Sequence, residues 1–265
     1  MAPKDARSLQ LLFSDSRNLE ATAVVRSLRD YHPTMAAATF EQGVIEWDAH
    51  RVRLARFDAQ MPPDLVELCL APAHFGPELK ARARAHQSHA LLYYAGTDDD
   101  PLNQYVVLAA ACASLAKLGA IVILNEAGHT AFPAAALAEI KGDRLALLMS
   151  MPIPMLYSGF VKLEVEGVSG TWMRTFGNHL LGLPDFAHLA QGHHEGQATF
   201  DLICNLLSYL RSSGATFAPG HTTQVGEDTF LKFRAPQASE YFLENPGPLL
   251  VLEKVSKGAI NTQKS

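Results

Sequence analysis

Two histidines three residues apart, in His86-Gln-Ser-His89, and a second concentration, His193-His194-Glu195, are the side chains of this sequence best suited to hold a metal ion. Imidazole nitrogen is a common zinc ligand, and histidines at this spacing meet on one side only where the backbone is helical. The first pair falls where a helix is expected to give way to a strand. On a strand its two rings face opposite ways and the pair dissolves. The candidate ligand set is His86, His89, His193 and His194, with Glu195 as a further donor, and zinc is the metal it would suit. The spacing His-Glu-x-x-His is absent. The simpler expectation is that these side chains cap, hydrogen-bond or face solvent, so no cofactor is predicted.

A second constellation is Arg174, Asp185, His188 and Glu195. These four would form a polar binding site if the glycine-rich stretch between them folds back over a neighbouring hairpin. Buried arginine–carboxylate pairs also fix loops against strands, and that structural role is the favoured one. Asp185 after Pro184 is equally suited to begin or cap a short helix. Nucleophilic chemistry has less to stand on: there is no Gly-x-Ser-x-Gly, and Cys69, Cys112 and Cys204 sit among apolar residues with no neighbouring base. Neither a Walker loop nor Gly-x-Gly-x-x-Gly occurs, so nucleotide binding is not expected. No catalytic residue is predicted.

With 22 basic and 27 acidic residues the formal charge is −5, and no basic block is long enough to track a phosphate backbone. Nucleic acid is not an expected partner. An odd number of well-separated cysteines points to reduced core thiols and to the cytoplasm. The short apolar run from Leu9 to Phe13 is broken at once by polar residues, which argues against a signal peptide. The apolar helix near 105–118 is too short and too alanine-rich to span a bilayer, so no membrane association is expected.

The elements that must position these residues follow from hydrophobic period. Leu9 to Phe13 reads as a buried strand, followed by a helix with Ala21, Val24, Val25 and Leu28 on one face and Asn18 as its cap. Thr39-Phe40, Val44 to Trp47 and Val52 to Phe57 read as successive antiparallel strands. Pro77 opens a helix. Ala90 to Ala95 reads as a central strand covered on both faces. Asp100-Pro101 starts an apolar helix that Gly119 stops, and Ile121 to Leu124 completes a βαβ-like unit. Leu145 to Met149 reads as one more buried segment before Met151-Pro-Ile-Pro154 interrupts the chain. Beyond it, Val161, Leu163 and Val165 alternate with charged residues in a strand that turns back into Thr171 to Phe176. Ile203, Leu206, Leu207 and Leu210 form one helical stripe stopped by Gly214. Thr216-Phe217 and Thr229 to Phe233 read as strands, and Leu249 to Leu252 as an edge strand. The predicted class is α+β, in two lobes of mixed, mainly antiparallel sheet with helices packed on one face. The expected division is 1–150, 151–255 and a flexible polar tail, 256–265.

Arg174-Thr-Phe-Gly177, Gly182-Leu-Pro-Asp185, the apolar helix ending at Tyr209-Leu210, and Pro219-Gly-His-Thr222 leading to Leu231-Lys-Phe233 together resemble the bacterial DUF4261 family, a domain of unknown function. The resemblance is strongest over 171–233, with a fainter echo in Ala85-His-Gln-Ser-His89 and the Met61 segment. An acidic residue expected after the Pro-Asp element is replaced here by Phe186-Ala-His188, so no acidic site transfers. The resemblance implies architecture and supplies no catalytic residues.

The functional expectation is a non-enzymatic cytoplasmic bacterial protein that binds another protein, as an adaptor or immunity factor associated with a toxin or secretion system. Trp47, Tyr93, Tyr94 and Trp172 are the aromatic residues suited to anchor such an interface. The alternative is a metal-assisted hydrolase using His86, His89 and His193 or His194 at the meeting of the lobes. A small-ligand lobe is a third, minor reading. Nothing in the sequence fixes an oligomeric state.

Overall fold

A computed structural model describes residues 7–16 and 19–256. Asn18, the expected cap, and residues 257–265 of the expected tail lie outside the described residues. The chain divides into two compact units, the first ending at Gly159 and the second starting at Phe160.

The first unit runs β1 (Ser8–Phe13), α1 (Ala21–Arg29), β2 (Thr39–Glu41), β3 (Val44–Trp47), β4 (His50–Phe57), α2 (Pro63–Leu70), α3 (Pro77–Arg84), β5 (Ser88–Tyr94), α4 (Pro101–Ser114), β6 (Ala120–Asn125), β7 (Thr130–Pro133), α5 (Ala134–Ala138), α6 (Arg144–Ser150) and α7 (Ile153–Leu156). Its strands form a seven-stranded sheet in the order β2-β3-β4-β5-β1-β6-β7. β1 pairs antiparallel with both β5 and β6, so those two run parallel to each other with β1 between them. This is a split βαβ unit, with α4 as its crossover.

Asp100 caps α4 by accepting the Leu102 N–H at 3.0 Å, with Pro101 in the first turn, and Gly119 ends the following 3₁₀ turn at φ +96°. Ala109, Ala110, Ala111 and Ala113 are all fully buried, which lets the helix lie close against its neighbours. On β5 the burial alternates: Ser88, Ala90, Leu92 and Tyr94 are buried, whereas His89, Leu91 and Tyr93 are half-buried. The expectation of two fully covered faces is therefore corrected to one. The reverse face is covered where Leu12, Val122 and Leu124 meet Val66, Cys69 and Leu70 of α2 and Ala83 of α3. The expected buried segment at Leu145 to Met149 is α6, in which only Leu148 is buried.

The second unit takes up β8 (Gly159–Leu163) and continues with β9 (Thr171–Phe176), β10 (Asp185–Ala190), α8 (Gly196–Ser213), β11 (Thr222–Gln224), β12 (Thr229–Arg234) and β13 (Leu249–Ser256). Its six-stranded sheet has the order β11-β12-β13-β10-β9-β8, with β10 and β13 parallel, and β9 with β10, β11 with β12 and β12 with β13 antiparallel. Both sheets, with their helices, make the protein α+β. On α8 the stripe Ile203, Leu206, Leu207 and Leu210 is buried, and Gly214 closes the helix at φ +66°.

Three local expectations differ from the structure of this unit. Asp185 starts strand β10 and begins no helix. Residues 249–252 lie in β13, an interior strand between β12 and β10, because a long connection carries the chain back into the sheet. Thr216-Phe217 forms no strand; the Phe217 ring instead stacks on Phe233, with centroids 4.1 Å apart.

Candidate functional site

β9 is an interior strand, and its residues Thr171 to Thr175 are all buried. Arg174, opposite Ala187 of β10, has no exposed surface at all. The small partner leaves room for the guanidinium, which lies 3.8 Å from the centroid of the Phe176 ring. Asp185, at the start of β10, is likewise fully buried.

These two charges do not touch directly; the side-chain amide of Asn245 joins them. Arg174 Nη2 donates to Asn245 Oδ1 at 2.9 Å, and Asn245 Nδ2 donates to Asp185 Oδ2 at 2.9 Å. The other carboxylate oxygen of Asp185 accepts from Thr175 Oγ1 at 2.8 Å and from the Asn178 N–H at 3.3 Å. Thr175 Oγ1 in turn accepts from Asn178 Nδ2 at 3.0 Å and from the Phe186 N–H at 2.9 Å, filling the capacity of one hydroxyl. The Asp185 N–H donates to Pro248 O at 2.8 Å, so the 245–248 turn is tied to the sheet by side chain and backbone together. A glycine is required at 247, where a Cβ would collide with the His179 side chain.

Burial pushes the Arg174 guanidinium down to about 10, against the pull of the Asp185 carboxylate in the opposite direction. One of its nitrogens, Nη1, is buried without a hydrogen-bond partner, as is Trp172 Nε1 two residues earlier. An arrangement of this kind holds a loop against a sheet, and removing any member leaves a buried charge uncompensated.

His188 and Glu195 stand apart from this pair. His188 is opposite Met173, so strand alternation turns it to the other face of the sheet from Arg174. The parallel pairing of β10 and β13 ends at Ala187 and Val251, and His188 Nδ1 contacts the Leu252 carbonyl at 2.9 Å, just past that point. Burial lowers the His188 pKa, the bond to Leu252 opposes this, and Lys254 and Glu195 act in opposite directions. Glu195 accepts the Gln191 N–H at 3.1 Å and lies 3.8 Å from Lys254 Nζ. The four residues singled out in the sequence thus fall into two pairs, Arg174 with Asp185 and His188 with Glu195.

The candidate metal ligands are individually occupied. His86, buried in the turn after α3, accepts the Met61 N–H through Nε2 at 2.8 Å and contacts Ala83 O through Nδ1 at 2.8 Å. His89, on β5, contacts Ala59 O at 2.7 Å and stacks on Phe57. The two rings have centroids 6.5 Å apart. His193 Nε2 lies 2.7 Å from Glu164 Oε1, and His194 Nε2 lies 4.0 Å from Glu195 Oε1. Among the described residues no group of three or more His, Cys, Asp or Glu side chains is placed to hold a metal ion. Burial pushes the Cys69 and Cys204 thiols up to about 12 and raises Cys112 as well, which keeps all three protonated at neutral pH.

Residues 174–253 match the family model of DUF4261, a domain of unknown function. The matched segment begins at Arg174 and contains every member of the network just described, including Thr175, Asn178, Asp185 and Asn245. No curated protein and no solved structure matches the chain.

The segment that matches the family model also carries the most exposed large apolar side chain among those described, Tyr241, at 77%. It projects from a 3₁₀ segment, Ala238–Leu243, that is kinked at the preceding residue, Glu240 (φ −97°, ψ 33°), where an ion pair holds it. Arg234 grips Glu240 with two bonds of 2.6 Å and Glu253 with a third of 2.6 Å, and these bonds lower the Glu240 pKa while raising that of Arg234. Gln237 and Glu240 complete a reciprocal capping box. From Tyr241 the rings step inward: its centroid is 5.8 Å from that of Phe242, which is 5.8 Å from that of Trp172. Beside Tyr241 runs a groove of about 470 Å³, lined by Pro236, Glu240, Leu243, Glu244, Asn245 and Leu249 among others.

Sequence reasoning missed Asn245, Thr175, Asn178 and Tyr241. Gln237-x-x-Glu240 was a usable capping signal, and Asn245-Pro-Gly-Pro248 marked a tight turn. Neither pattern announces the distant residue it will meet. The aromatics expected at an interface are corrected: Trp47, Tyr94 and Trp172 are buried, and Tyr93 is half-buried.

Proposed function

We propose that this chain is a protein-binding partner, of the adaptor or immunity-factor kind, acting in the bacterial cytoplasm beside a toxin or secretion system. The observation that carries the binding role is Tyr241, a tyrosine exposed over 77% of its surface on a backbone clamped by the Arg234–Glu240 pair. An exposed aromatic on a fixed segment binds without a large ordering cost, and tyrosine is among the residues that dominate interface energetics. The Arg174–Asn245–Asp185 network supports it from below by anchoring the far end of the same segment. Among the described residues no helix is long and apolar enough to cross a membrane, which agrees with this role without fixing the compartment.

Photo-crosslinking from a benzophenone side chain at position 241 in the native host tests the proposal. One protein should be trapped in stoichiometric amount, and Tyr241→Ala should abolish its co-purification with the unfolding midpoint unchanged. Co-purification indifferent to Tyr241→Ala, or no trapped protein, would overturn it. A toxin-associated role further requires that deletion of the gene alter susceptibility to a neighbouring toxin.

A further inference from the structure

We infer that the groove beside Tyr241 takes a basic, extended segment of a partner protein, one bearing arginine or lysine. This rests on the protein-binding reading above. The groove walls supply apolar surface from Pro236 and Leu249 and two carboxylates, Glu240 and Glu244; no lining residue is cationic. Glu240 is already committed, since both its oxygens accept from Arg234 at 2.6 Å. Glu244 is exposed and lines the groove together with Tyr241. A cation entering here would meet the exposed Glu244 carboxylate and the nearby Tyr241 ring, whereas an anion would meet Glu244 with no cationic lining residue to offset it, since the Glu240 charge is already answered by Arg234.

The dimensions favour a segment over a folded surface. A space of about 470 Å³ takes a few side chains. Both of its polar walls belong to one short stretch, 236–249, held by Arg234 at one end and by Asn245 at the other. In a strand-like ligand alternate side chains point the same way, so a cationic residue and an apolar residue two positions away can reach Glu244 and the Leu249 wall together. The net charge of −5 adds a weak long-range attraction for the same class of partner.

Two synthetic peptides added to the isotope-labelled full chain test the assignment: acetyl-Leu-Ser-Arg-Ser-Leu-amide, in which arginine has a leucine two positions away on either side, and the same peptide with glutamate in place of arginine. The arginine peptide should give saturable NMR shifts at Tyr241, Glu244 and Asn245, weakened by added salt. Glu244→Gln should weaken it about three-fold, as an exposed ion pair does, and Tyr241→Ala about ten-fold. Equal or stronger binding of the glutamate peptide, no effect of Glu244→Gln, or no saturable shift with the arginine peptide overturns the inference. The protein-binding reading is decided separately by the crosslink at 241: a trapped partner whose contacting segment lacks arginine and lysine sinks the basic character alone.

Discussion

Leu11, on the central strand of the first sheet, and Arg174, on an interior strand of the second, are both fully withdrawn from water. Leu11 lies between Ala90 and Ile123, and the helix over that face contributes alanine after alanine. Arg174 lies beside Ala187 and is answered by an amide 71 positions later in the chain. In the first case burial itself is the driving force, at roughly 25 cal/mol per Å² of apolar surface. In the second, burial is a cost that hydrogen bonds must offset, and the return is a loop held in one place. The first unit is thereby held by shape and apolar area, whereas this part of the second depends on particular polar atoms meeting.

The sharpest way to break that comparison is to remove one charge. Arg174→Met should destabilise the second unit by about 3–5 kcal/mol, because the fully buried Asp185 carboxylate loses the guanidinium that acts on it and Asn245 loses its bond to Arg174. Combining Arg174→Met with Asp185→Leu and Asn245→Leu should recover much of the loss. The two tryptophans provide separate reporters, since Trp47 lies in the first unit and Trp172 in the second. Denaturant unfolding followed in Trp47→Phe and Trp172→Phe backgrounds would read each unit alone. A cost below about 1 kcal/mol for Arg174→Met would mean the network holds nothing.

Next in size is Leu11→Ala, expected to cost about 2–5 kcal/mol, with the loss confined to the Trp47 reporter. Equal losses at both reporters would show that the units do not unfold independently.

A smaller effect is pH dependence. Burial lowers the pKa of His86 in the first unit and of His188 in the second. In each case the unfolded chain binds a proton more readily than the folded one, so stability is fully present above the unfolded value of about 6.5 and falls as the pH drops below it. His188→Leu should flatten the acid limb at the Trp172 reporter and leave the Trp47 limb intact. A second-unit stability that rises on acidification from pH 7 to 5.5 would contradict the burial of neutral His188.

Smallest of all is Tyr241→Ala, which should change unfolding free energy by no more than about 0.5 kcal/mol, as exposed positions do. Its consequence is expected in partner retention alone, and a large loss of stability would move Tyr241 from the interface to the scaffold.

Much of the scaffold was legible because its signals are local. Asp100-Pro101 and Gly119 bound the apolar helix, the stripe from Ile203 to Leu210 is buried, and the early strands from Thr39 to Phe57 pair in sequence order. Period and turn chemistry act over a few residues, so they survive in a linear reading. Within the candidate site, Arg174 and Asp185 stood out by charge, but no local signal marked strand β10, and Asp185 was expected to begin or cap a helix. Their actual link was not legible either, because Asn245 is 71 positions from Arg174 and 60 from Asp185. Nor was the placement of β13: Leu249 to Leu252 look the same at an edge as between two strands, and only the parallel register with β10 distinguishes them.

What the amino-acid order determined alone was the α+β class, the limits of the apolar helix between Asp100-Pro101 and Gly119, the stripe from Ile203 to Leu210 with its stop at Gly214, and the resemblance over the second half. Tertiary structure alone decided that His188 turns away from Arg174, that His86 spends its ring nitrogens on Met61 and Ala83, and that Tyr241 stands out from a clamped segment. The reason is range: backbone preference and hydrophobic period are properties of neighbours in sequence, whereas satisfying a buried charge requires a partner that only the closed fold brings within 3 Å.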